Sequence, residues 1–179
     1  MKRLPRFRHG GLALCLAVCM IAAAAGGHAG TRRPYGGNGG NARVSVTIHR
    51  IIDGDSLVVL NQENYLEIRL WGIDAPEYDQ PGSASAKERL KELTSGRPAE
   101  IVIKDRDRYG RLVVMLECDG NNINETMVAS GSAWVHIYYC KESECERWKK
   151  LEREARKNHL GLWKWKDPVE PWKWKSRRR

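Results

Sequence analysis

The chain has 179 residues, with 31 Lys and Arg against 22 Asp and Glu, and 7 Trp beside a single Phe. That length gives one domain room for a real core, and the positive balance suits a polyanion as partner. No His follows Cys118, Cys140 or Cys145 at ligand spacing, which argues against a thiolate zinc site.

In chain order, Lys2, Arg3, Arg6 and Arg8 make a basic start, residues 11–27 are apolar, and Gly27-His28-Ala29 forms a small-residue end. Residues 1–29 therefore read as a secretory signal peptide cut near Ala29, with export to the periplasm or the medium. A retained membrane anchor is the alternative, although the apolar run is short for a span. Neither Cys15 nor Cys19 follows a small residue, against a lipoprotein signal. Removal leaves 27 basic and 22 acidic residues, a net charge of +5, and no transmembrane segment in the mature chain. In an oxidising compartment Cys140 and Cys145 are a disulfide candidate, with Cys118 left over and buried at a strand end.

Residues 30–43, rich in Gly and Asn, read as a flexible linker. Strands are expected at Val44–Ile51, Leu57–Leu60 and Tyr65–Trp71, the first and third from clean period-two alternation. His49 lies on the polar phase of the first. In the third, Glu67, Arg69 and Trp71 fall on one face and Leu66, Ile68 and Leu70 on the other. A helix over Ser83–Leu93, capped by Ser83 or Ser85, precedes strands at Ala99–Ile103 and Leu112–Glu117. Helices follow at about Ile123–Ser130 and at Glu142–Asn158, the latter with Trp148, Leu151 and Ala155 as its buried stripe. The order predicts a mainly β chain with helices (α+β): an OB-fold, five-stranded β-barrel with three helices over residues 44–163. An open α+β sheet is the alternative. Turns too short for crossovers argue against a parallel sheet.

Two stretches carry the chemistry. Asp53-Gly54-Asp55-Ser56 and Asp74-Ala75-Pro76-Glu77 each follow an apolar run, so Asp55, Asp74 and Glu77 can converge at one end of a sheet with Arg69 close by. Clustered carboxylates repel unless a cation sits among them, and oxygen ligands suit calcium or magnesium. The plainer reading is a turn and a strand end. In residues 164–179, Trp-Lys-Trp-Lys occurs again at 172–175 after a first copy at 163–166, and Arg177–Arg179 follow. Two prolines argue against a helix there. Aromatics alternating with cations can stack bases or lie on an anionic surface. Trp163 and Trp165 can equally pack back on the barrel, while residues 174–179 read as a mobile polyanion contact.

Asp53-Gly54-Asp55-Ser56, Arg69-Leu70-Trp71-Gly72-Ile73-Asp74-Ala75-Pro76-Glu77 and Asp107-Arg108-Tyr109-Gly110-Arg111, in this order, resemble the staphylococcal nuclease (thermonuclease) family from about Val44 to Trp163. The resemblance implies a barrel enzyme that hydrolyses DNA and RNA with one calcium ion and leaves 3′-phosphates. It implies metal ligation by Asp55, Asp74 and the carbonyl of Ala75, where the family often has Thr, with Asp53 nearby but not ligating. It further implies phosphate binding by Arg69 and Arg111, a catalytic Glu77, and nucleotide contacts at Tyr109 and Tyr139. The connection after Glu77 is shorter than in the best-known member. Asp107 reads as ordering the turn before Arg111, and Trp71 and Tyr65 as barrel packing. A monomer is expected. The competing readings are a non-catalytic OB module that binds nucleic acid or another polyanion, and an envelope-adhering protein led by its tail.

Overall fold

The computed structural model describes residues 42–177; the expected signal peptide and most of the linker lie outside them. Strand β1 (Arg43–Ile51) is followed by β2 (Ser56–Asn61) and β3 (Asn64–Leu70). The β2–β3 hairpin closes at Asn61 opposite Asn64. Next come a two-residue strand β4 (Ile73–Asp74), helix α1 (Ser83–Thr94), β5 (Ala99–Arg106) and β6 (Leu112–Cys118). A short β7 (Asn121–Asn122) leads into α2 (Ile123–Ala129), then β8 (Trp134–Val135) and α3 (Ser143–Lys157). A 3-10 turn (Gly161–Lys164) and α4 (Pro171–Ser176) end the described chain.

The sheet order is β3-β2-β1-β5-β6-β7, and β3 also pairs with β6, so the first five of these strands close into the expected barrel with the short β7 at its edge. That closing pair is parallel, with Ile68 opposite Leu112 and Leu70 opposite Val114. Turn lengths do not announce it, because β3 and β6 are separated in sequence by β4, α1 and β5. Alternation explains the barrel interior: Leu57, Val59, Ile68, Leu70, Ile101, Val114 and Leu116 are all buried, while polar neighbours such as Glu67 face out. Burial of apolar area at roughly 25 cal/mol per Å² drives closure. Trp71 departs from the alternation. The strand stops at Leu70, the chain turns through Gly72 at φ 73°, and the indole is buried edge-on against Trp148 at 5.7 Å. Trp71 is therefore a packing residue, as expected, whereas Tyr65, expected to pack likewise, is 61% exposed beside the His49 ring.

The helices cover the open sides. In α3, Trp148 and Ala155 are buried and Leu151 half-buried, as the stripe predicted. Just before and within its first turn, Cys140 and Cys145 form the expected disulfide, and Cys118 is free and buried at the end of β6. Neither Ser83 nor Ser85 caps α1. Gly82 holds the cap position at φ 94°, and the Ser83 hydroxyl donates to the Tyr78 carbonyl instead. Only glycine fits there, since a Cβ would meet Leu162 at 2.4 Å and Trp165 at 2.5 Å.

The tail corrects two expectations. The described residues form four α-helices rather than three, because residues 171–176 are helical. Pro171 occupies the first turn, where a missing N–H breaks no helical bond. Residues 174 and 175 are not a mobile extension: the Trp174 indole donates to Asp79 and Lys175 pairs with Glu77. Trp163 is buried edge-on against Trp134, with Trp172 packed on the same cluster, whereas Trp165 is 43% exposed, its ring lying over Gly82.

Candidate active site

The site forms where the β1–β2 turn meets the chain leaving β3. Asp53 builds the first turn. Its carboxylate accepts the N–H of Asp55 at 3.0 Å and of Ser56 at 2.7 Å, and the Ile52 N–H donates to the Ser56 carbonyl. That is a local Asx-type arrangement, so the plainer turn reading is right for Asp53. It fails for Asp55, whose side chain leaves its own turn. One carboxylate oxygen accepts the Ala75 N–H at 2.8 Å; the other accepts Arg69 Nη1 at 2.9 Å and the Ser56 hydroxyl at 3.1 Å.

The second loop is fixed by β4. Ile73 and Asp74 pair with Val135 and Trp134 of β8, and the His136 N–H donates to the Gly72 carbonyl. Buried Asn124 on α2 donates to the carbonyls of Trp71 and Val114, clamping β3 to β6 just before the turn. The two loops approach closely because Gly54 has no side chain. A Cβ there would lie 2.6 Å from the Ala75 Cβ and 2.8 Å from the Ala86 Cβ.

Between the loops the guanidinium of Arg69 bonds both Asp55 and Asp74. The two carboxylates are almost fully buried, and Arg69 is one-fifth exposed. Arg69 is held above the ordinary guanidinium value: burial opposes its charge, but Asp55 and Asp74 outweigh that. Burial and then the Asp55 charge push Asp74 up to about 7, and the same two causes push Asp53 up to about 6. One cation is thus set against three acids, which leaves excess negative charge at a buried point.

Arg111 faces the same end. The parallel register places Arg69 opposite Val113, so Arg111 lies two residues back along the same face. Its Nε donates to Asp107 at 2.7 Å and its Nη1 to the Ser56 hydroxyl at 3.4 Å, so a chain of hydrogen bonds links Arg111 through Ser56 to Asp55. Asp107 orders the turn as expected, accepting the N–H groups of Tyr109 and Arg111. Burial works against its charge, but the bonds from Arg111 outweigh it and hold the carboxyl below its usual range.

Glu77 pairs outside the Asp55–Arg69–Asp74 bridge. Its carboxylate lies 2.7 Å from Lys175 Nζ, about one-quarter exposed. Among the described residues no group of three or more His, Cys, Asp or Glu is placed to hold a metal ion. The local donors are the Asp55 and Asp74 carboxylates with the adjoining Ala75 carbonyl. This all-oxygen, net-anionic set fits a hard divalent cation rather than zinc. Tyr109 is exposed and lies under the guanidiniums of Arg108 and Arg111, at 4.8 and 5.7 Å. Tyr139 is exposed and tilted on His136 at 4.5 Å.

Ser56, Gly54, Asn124 and Lys175 are the residues that reading the sequence assigned no role in the site. Ser56 stood inside a quoted motif, and Gly54 between two acids, so both had a local signal. Asn124 had none, and Lys175 had only the Trp-Lys repeat, which marks a polyanion contact without placing it here, because each acts across long sequence separations.

The sequence profile of the family described as "Staphylococcal nuclease homologue" matches residues 67–165. That span holds Arg69, Asp74, Ala75, Glu77 and Arg111 but starts after Asp55. A protein named micrococcal nuclease from Shigella flexneri is 38% identical over 135 residues, covering 70% of this chain and 77% of its own length. A protein named an uncharacterized endonuclease from Escherichia coli is 37% identical over 130 residues, covering 72% of this chain and 83% of its own length. A staphylococcal-like nuclease of Arabidopsis thaliana is 34% identical over 133 residues, covering 72% of this chain and 40% of its own length.

Proposed function

The chain belongs to the staphylococcal nuclease family, and from that premise we propose that it is an exported, calcium-dependent endonuclease that hydrolyses phosphodiester bonds of DNA and RNA and leaves 3′-phosphates. The observation that carries the reading is the Asp55–Arg69–Asp74 bridge, built from two turns, with Arg111 joined to it through Ser56. Nuclease-named relatives support the reaction class. The basic and apolar start of the sequence and the Cys140–Cys145 disulfide support export.

Phosphodiester hydrolysis requires a water in line with the leaving oxygen and donors for charge that grows on the non-bridging oxygens. Asp55, Asp74 and the Ala75 carbonyl would hold the calcium ion, which supplies Lewis-acid charge at the phosphate when bound. Arg69 has five N–H donors, of which the two carboxylate bonds use two. Arg69 and Arg111 present planar forks to the non-bridging oxygens, a geometry Lys cannot reproduce. Glu77, at the more open edge, accepts or aligns the proton of the attacking water. Tyr109 and Tyr139 offer exposed faces for the nucleotides on either side.

The test is an in-gel digestion of DNA and of RNA, with calcium and with EGTA. Cleavage of both with calcium and neither with EGTA is expected. Cleavage indifferent to chelation removes the metal assignment. Binding without cleavage leaves the non-catalytic OB module as the function.

A further inference from the structure

We propose that Lys175, carried on α4, is a third phosphate-binding cation of this site, and that it exchanges its pairing with Glu77 for a non-bridging oxygen of the incoming phosphodiester. The inference rests on the nuclease reading for Glu77's role, but its binding half stands on the geometry of α4.

Helix α4 is seated by contacts that lie apart from the acid cluster. Pro171 is buried, and Trp172 packs on the cluster of Trp134, Ala155, Leu162 and Trp163 and against the His136 ring at 5.2 Å. The Gln80 side-chain amide donates to the Val169 carbonyl, and the Trp174 indole donates to Asp79 at 3.1 Å. Gln80 and Asp79 belong to the same loop as Glu77, so the tail braces that loop at two points beside the ion pair. The helix is therefore part of the fold, and Lys175 is delivered to the site by it.

Lys175 itself is loosely held. Its side chain is 48% exposed and that of Glu77 24%. An ion pair this open to water contributes little, so it is no lock against substrate. An ammonium group has three donors, and the Glu77 bond uses one. A phosphodiester bridging Arg69 and Arg111 arrives with charge that neither arginine is free to neutralise alone, since both also pair with carboxylates. Lys175 is the further cation beside Glu77 that the structure supplies. Its move to the phosphate leaves the Glu77 carboxylate to take the proton of the attacking water.

The experiment compares wild type with Lys175→Gln and Lys175→Arg. Steady-state cleavage is read together with binding of a short single-stranded oligonucleotide of ordinary phosphodiester links in EGTA, where no cleavage is expected, each over a salt series. Lys175→Gln is expected to raise KM and Kd about tenfold with kcat changed much less, as for loss of one charge-assisted contact. Its slope of log affinity against log salt should be shallower by about 0.7. Lys175→Arg should restore both, because the contact needs charge rather than a fork. Thermal unfolding should be unchanged in both variants. Faster cleavage by Lys175→Gln would overturn the proposal in favour of an inhibitory strap. An unchanged salt slope, or a loss not rescued by Arg, would overturn it as well. If wild type binds the oligonucleotide but cuts nothing, the nuclease reading fails while the salt slope still decides the role of Lys175.

Discussion

Replacing Gly54 by Ala tests the claim that two loops make one site. The backbone at Gly54 is not in the left-handed region, so the effect is one of contact rather than strain. The added Cβ would stand 2.6 Å from the Ala75 Cβ and 2.8 Å from the Ala86 Cβ, where carbon atoms settle at about 3.5–4.0 Å. Both neighbours are buried, one on the β4–α1 connection and one on α1, so neither is the far end of a flexible side chain. Relief requires the Asp53–Asp55 turn to move away by about 1 Å, and overpacking of this kind costs about 1–3 kcal/mol. With a urea slope near 2 kcal/mol/M, the unfolding midpoint should fall by about 0.5–1.5 M. The same displacement lengthens the bond from the Ala75 N–H to Asp55, so calcium affinity, read by isothermal titration, should fall with stability. Ala75→Gly removes the nearer clash, and Gly54→Ala made in that background should cost less than in wild type. The difference is the coupling energy of the two positions. Additive effects of the two substitutions, or a Gly54→Ala protein with unaltered midpoint and calcium affinity, would refute the close approach.

Glu77→Gln should reduce kcat far more than it weakens oligonucleotide binding; equal losses in both would make Glu77 a residue of the fold. Arg111→Lys should lower kcat/KM by about a hundredfold, as expected for loss of one oriented donor to developing charge; full activity would leave Arg111 a partner of Asp107 only. Asp53 and Asp74 have raised values in the folded state, about 6 and about 7. Their contribution is therefore complete below the unfolded carboxyl value of about 4 and is lost as pH rises through 6 and 7. Calcium-free protein should lose Tm over that window relative to Asp74→Asn, and calcium should raise Tm more at pH 8 than at pH 5. Replacing Cys140 and Cys145 by Ala should cost about 2 kcal/mol, the chain-entropy value for so short a loop. Cys118, pushed up to about 11 chiefly by burial, should stay unlabelled by a thiol reagent in the native protein and react on unfolding.

The barrel was legible because its strands carry their own local signals. Alternation in β1 and β3 and the turn residues between β5 and β6 mark strands that pair mostly with sequence neighbours. The closing contact of Ile68 with Leu112 carries no such mark, since either strand would read the same at a sheet edge. The site divides in the same way. Asp55, Asp74 and Arg69 stand out as charges at strand ends. That Arg69 grips both aspartates, while Glu77 turns to Lys175, depends on which loop each side chain meets in space. Gly54 looked like a turn residue, and its need for glycine comes from Ala75 and Ala86 rather than from its own backbone.

The helix in the tail is not legible in the sequence, for a reason that bears on its function. A six-residue segment is far below the roughly 12–15 residues an isolated helix needs, and composition gives no sign of what could hold it. Packing supplies that. Trp172 and Lys175 stand three apart, on one side of the helix, so seating the indole on its aromatic cluster aims the ammonium at Glu77. Trp174 meets Asp79, and Lys173 pairs within the helix with Glu170. The alternation of Trp and Lys thus places each residue differently, whereas a mobile basic tag would treat its cations alike. Net charge would not single out Lys175: the two lysines of the second repeat carry the same charge, and of the two only Lys175 pairs with Glu77.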